Sequence, residues 1–110
     1  KPIDNINFIA SKVDLDAESM KSISFELKDK IENLFLVLGS DSNDKAVLTL
    51  MISESLVKDR NFNANKIIRD LAKEISGGGG GQAFFATAGG KNPKGLDNAL
   101  EKAWSLIDDK

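Results

Sequence analysis

The chain has 110 residues, a length that supports a single domain over 1–110 with one modest core. It contains neither cysteine nor histidine, which removes disulfide staples, thiolate metal sites, the commonest general base and the Ser-His-Asp triad. No apolar run approaches the roughly 18 residues of a membrane span, so composition points to a binding module, with no catalytic residue and no metal site, and away from a self-contained enzyme.

Taken in chain order, Ile6-Asn7-Phe8-Ile9-Ala10 predicts a strand near 5–12. Asp16 can cap a helix whose apolar stripe is Met20, Ile23, Leu27, Ile31 and Leu34. Leu34 to Leu38 is apolar on both faces, as suits a central strand, and Ala46 to Ile52 reads as another. The polar residues 39–44 between them predict a loop closing a hairpin at the centre of the sheet. Residues 53–62 are mixed, with a short helical turn at Leu56-Val57.

Asn63 then caps a regular stripe of Ala64, Ile67, Ile68, Leu71, Ala72 and Ile75, with Lys66, Arg69, Asp70, Lys73 and Glu74 on the wet face. Five glycines, 77–81, end this helix. Gln82 to Ala88 reads as a strand in which Phe84 and Phe85 point to opposite faces. Gly89 to Pro93 turns the chain, and Asn92-Pro93 starts a last helix carrying Leu96, Leu100, Ala103, Trp104 and Ile107. The order β-α-β-β-α-β-α implies an α/β or α+β fold, a mixed sheet of about four strands with helices packed on it. Asp108-Asp109 are expected to be solvated ends rather than ligands.

Two glycine segments carry the functional signal. Gly77, Gly78, Gly79, Gly80 and Gly81 admit two readings: a tight helix-to-strand crossover, or a backbone surface facing phosphate. Neither a P-loop nor a G-x-G-x-x-G pattern is present. Gly89-Gly90-Lys91-Asn92, with Lys94 nearby, opens a helix and reads either as an ordinary capped start or as a phosphate-receiving end. The net charge of −2 conceals an asymmetry: residues 58–94 carry a net +4 between segments of −4 and −2. That is either a solvated helix surface or an electrostatic footprint.

Gly77 to Pro93, GGGGGQAFFATAGGKNP, followed by Leu96-Asp97-Asn98-Ala99-Leu100, resembles the glycine-rich signature near the end of alanyl-tRNA synthetases. Ile67 to Ala72 and Val37 to Ser40 look like the same family's preceding helix and strand. The resemblance implies a DHHA1-type domain, a fold shared with DHH phosphodiesterases. Those relatives carry His after their glycines. Here Gln82 holds that place and two extra residues precede Ala88-Gly89, which favours the synthetase branch.

The resemblance further implies that the chain is a C-terminal fragment of a cytoplasmic enzyme. Upstream would lie an aminoacylation domain, an editing domain with a His/Cys metal site, and a helical linker able to mediate a homodimer. ATP, Mg²⁺ and Zn²⁺ would belong to those domains, with no cofactor here. The implied partner is tRNA, touched at its elbow. The expected contacts are Lys66, Arg69, Lys73, Gly77–Gly81, Gly89, Gly90, Lys91, Asn92 and Lys94. The competing expectations are the substrate-binding half of a nucleotide phosphodiesterase and a purely structural docking or dimerisation module.

Overall fold

The computed structural model describes residues 2–3, 6–42 and 44–108. In chain order its elements are β1 (Pro2–Ile3), β2 (Ile6–Lys12), α1 (Ala17–Lys30), β3 (Leu34–Ser42), β4 (Lys45–Ile52), α2 (Glu54–Asp59), α3 (Ala64–Ala72), β5 (Gly77–Gly81), β6 (Phe85–Gly90) and α4 (Leu96–Asp108). Short 3₁₀ turns, Lys73–Ile75 and Pro93–Gly95, lead into β5 and α4. The strands form one six-stranded sheet in the order β1-β2-β3-β4-β6-β5. β2 and β3 are parallel and the other pairs antiparallel. The expected mixed sheet with a central β3–β4 hairpin is present, with two strands beyond the predicted four: β1, and the glycine run itself.

Directly opposed residues share a face, so the register sorts the core. Phe35, Val37, Leu48, Leu50, Ile52, Ala86 and Ala88 bury against Ile68, Leu71 and Ala72 of α3 and Ala99 and Ala103 of α4. On the other face, Leu36, Leu38 and Met51 pack under Met20 of α1. Trp104 is half-buried and meets Phe8 edge-on at 5.1 Å.

Asp16 accepts the Ser19 N–H at 2.7 Å and caps α1 as expected. That bond holds its carboxyl below the ordinary carboxylate range. The stripe of α1 differs from the prediction. Met20 and Ser24 are buried, Ile23 is 37% exposed, and Leu34 belongs to β3. Ser24 tolerates burial because its hydroxyl donates to the Met20 carbonyl at 2.7 Å.

The loop predicted at 39–44 is shorter, because β3 runs on to Ser42 and β4 starts at Lys45. Gly39, Ser40 and Asp41 stay in the ladder opposite Leu48, Val47 and Ala46. Asp44 makes the reversal with φ 64°; Asn43 and Asp109 lie outside the described residues. The strand predicted from Gln82 starts later, at Phe85, because Ala83-Phe84 form a hairpin turn closed by the Gln82 N–H donating to the Phe85 carbonyl at 2.7 Å. Freed from strand alternation, Phe84 and Phe85 therefore pack toward the same side, under α1. Gly89-Gly90 end β6 instead of turning the chain. Asn92 begins a 3₁₀ turn without a side-chain cap bond.

Thr49, in the centre of β4, is fully buried and its Oγ1 has no hydrogen-bond partner. An unpaired buried hydroxyl costs on the order of 1 kcal/mol or more. Thr49→Val keeps the shape and removes that cost. A rise in melting temperature of about 4 °C is expected by calorimetry; a fall would show the hydroxyl to be bonded.

Candidate nucleic-acid interface

The glycine run is an ordered edge strand, paired along its length with β6: Gly77 opposite Gly90, Gly78 opposite Gly89, Gly79 opposite Ala88, Gly80 opposite Thr87, and Gly81 opposite Ala86. None of the described glycines has positive φ, so the left-handed freedom of glycine is not what this strand needs. The requirement is room. A Cβ on Gly77, Gly79 or Gly81 would overlap the carbonyl oxygens of Gly89, Thr87 and Phe85, respectively. At Gly80 a Cβ would meet the tip of Asn65 at 3.1 Å, and Gly78 has nothing within 4 Å. Gly90 and Gly95 are constrained in the same way, by the carbonyls of Ile75 and Glu74. They let the chain leaving β6 pass tight against the end of α3. Gly89 has only the Ala46 carbonyl, at 3.9 Å.

The face that β4, β6 and β5 turn toward α1 is only partly covered. Across this face the rows run from the buried Thr49 to Thr87 and Gly80, and from the half-buried Val47 to Gly89 and Gly78, and only the β6 and β5 ends lie beyond the helix. Thr87, Gly78 and Gly89 are exposed. The result is a flat floor of main chain and small side chains. At one end, Lys21 and Phe25 of α1 with Gln82, Phe84 and Thr87 line a groove of about 340 Å³. At the other, Lys45, Val47, Gly89 and Lys91 line a second hollow of about 340 Å³. Lys28 lies 4.8 Å above the Phe84 ring and bridges to Glu54 at 3.7 Å, so it fixes the hairpin turn against α1.

The structure divides the residues singled out from sequence into groups. Gly78 and Gly89 lie exposed on the open floor with Lys91 at its border, and the half-buried Gly80 sits at the rim beside Asn65. Gly77, Gly79 and Gly81 lie opposite residues that face α3; they are exposed, but like Gly90 they have no room for a Cβ. The Asn92 N–H donates to the Ile75 carbonyl at 3.0 Å and the Asn92 carbonyl accepts from Gly95 at 3.1 Å, which shapes the turn. Lys94 is exposed on that turn. Lys66 and Arg69 on α3 and Lys73 in the 3₁₀ turn after it are exposed, behind the sheet, and Lys73 pairs with Asp70 at 3.6 Å. Two cations of the open face, Lys21 and Lys45, lie outside the basic stretch and carried no signal in the sequence. Lys45 reaches the floor only through the tight register of the β3–β4 hairpin.

Three comparisons bear on this geometry. The DHHA1 domain family matches residues 5–109. This chain belongs to the DHHA1 family. It is 52% identical over 107 residues to the alanine–tRNA ligase of Christiangramia forsetii and 44% identical over 106 residues to that of Cytophaga hutchinsonii. Those matches cover 97% and 96% of this chain, and the chain spans 12% of the length of each relative. Its fold matches the crystal structure of the C-Ala domain from Aquifex aeolicus alanyl-tRNA synthetase with a TM-score of 0.83, at 22% identity, covering 92% of this chain and 90% of that one.

Two kinds of glycine in one motif give a direct test by thermal unfolding. Gly78→Ala and Gly89→Ala are expected to keep or raise stability, by up to about 1 kcal/mol, since a residue with fewer unfolded conformations fits without strain. Gly79→Ala is expected to lower it by about 2 kcal/mol or more through overlap with β6. Equal behaviour of all three would show that the close approach of β5 to β6 is not what demands glycine.

Proposed function

We propose that this chain is the C-terminal domain of an alanine–tRNA ligase and a non-catalytic tRNA-binding accessory to that enzyme's aminoacylation and editing domains, working in the cytoplasm. The observation that carries the reading is the uncovered floor of Gly78, Thr87 and Gly89 with Lys21, Lys45 and Lys91 around it. Without side chains in the way, a broad, rigid surface such as the folded elbow of tRNA can come within van der Waals distance of the main chain over several residues at once. Lysines at the border act as point charges toward phosphates, which position the RNA without reading sequence. The ligase identity rests on the curated relatives.

The floor lacks the density of charge that tight binders use, and the chain as a whole is acidic at −2. With about three to five phosphates neutralised, log affinity is expected to fall against log salt with a slope of about −2 to −4.5. The test is a titration with tRNA and with an acceptor minihelix lacking the elbow, each at two salt concentrations. tRNA is expected to bind more tightly than the minihelix, and the double variant Lys45→Glu, Lys91→Glu to weaken tRNA binding by about tenfold or more as two attractions become repulsions. Equal binding of the two RNAs, or a complex indifferent to salt and to the double variant, would refute the reading.

A further inference from the structure

The β5 edge strand has no side chains to hold it, so its position depends on main-chain hydrogen bonds and on whatever reaches its open side. The Gln82 N–H to Phe85 carbonyl bond sets the phase of the ladder. By the alternation of antiparallel pairing, Gly78 and Gly80 bond to β6, while the main-chain groups of Gly77, Gly79 and Gly81 turn to the open edge. At Gly81 that edge is occupied. The Gly81 N–H donates to Asn65 Oδ1 at 3.1 Å. One residue earlier on α3, the Ala64 N–H donates to the Ala83 carbonyl at 2.8 Å. The start of α3 thus grips both the last glycine and the hairpin turn at the open edge of the sheet. The side chain of Asn65 stands where a seventh strand would otherwise have to.

We propose that Asn65 is a positioning residue for RNA binding: by accepting the Gly81 N–H it holds the glycine strand and the Gln82–Phe84 wall of the groove in the arrangement that RNA meets, without touching RNA itself. The inference rests on the tRNA-binding reading above. Its physical basis is that glycine loses more conformational freedom on ordering than any other residue. A strand of five of them at a sheet edge is the element whose order is most sensitive to a single anchor. If the strand is ordered only part of the time, apparent affinity drops in proportion.

The experiment uses this chain, labelled with ¹⁵N, in three forms: unchanged, Asn65→Ala and Asn65→Asp. The readouts are amide exchange at Gly81, melting temperature and tRNA affinity. Asn65→Ala is expected to speed Gly81 exchange by about fivefold, the equivalent of one ordinary hydrogen bond. It is also expected to weaken tRNA binding measurably, by no more than the same factor of about five, through the less populated strand. Asn65→Asp keeps an acceptor oxygen but replaces the amide donor with a negative charge. Recovery of slow exchange and of most of the affinity in that variant supports positioning, because a direct contact with phosphate would instead be made worse. The proposal is overturned if Asn65→Ala binds tRNA as the unchanged chain does, if Asn65→Asp binds no better than Asn65→Ala, or if Gly81 exchange is the same in all three. Absence of tRNA binding by the unchanged chain would refute the function proposed above. The Gly81 exchange rates would still decide whether Asn65 anchors the strand.

Discussion

The contact between the glycine strand and its neighbour governs the rest of the molecule. β5 lies so close over β6 that alternate positions cannot hold even a methyl group. That closeness lets α3 lie directly against the sheet edge, lets the chain after β6 slip beneath the end of α3 at Gly90 and Gly95, and leaves the opposite face flat. A strand with side chains at 77–81 would have to move away from β6, and α3, α4 and the turn at Asn92 would have to move with it. An open edge is normally a hazard, because it offers a template for another strand. Here part of it is occupied by Asn65, which accepts the Gly81 N–H.

Much of this architecture was legible in the sequence, and the parts that were not share a cause. The apolar stripe of α3 and the apolar runs of β3 and β4 announce themselves through side-chain periodicity, and the structure places them accordingly. The glycine strand has no side chains and so no period; what suggests a loop in the sequence is a strand held by its backbone. The error at Phe84 and Phe85 has the same root, since the hairpin turn falls inside a run that looks uniformly extended. In α1 a buried serine bonded to its own helix takes a place that the apolar pattern assigns to Ile23.

Charge was legible only as a sum. The basic stretch of residues 58–94 is real, but folding sends its members to different places. Lys66, Arg69 and Lys73 follow α3 behind the sheet, whereas Lys91 stays with the floor. The floor's other cations come from α1 and from the start of β4, segments that are acidic on average. A surface assembled from three separated segments in this way suits weak, broad contact with a partner held nearby by other means, as a domain tethered to a tRNA-binding enzyme would be. It also shows how an acidic chain can present a locally cationic border.

The most direct measurement is a map of amide chemical-shift changes in this chain on addition of tRNA. Gly78, Thr87 and Gly89 are expected to shift together with Lys45 and Lys91, while Lys66 on α3 and Lys73 just beyond it stay in place. Changes confined to α3, with the glycine floor silent, would contradict that expectation.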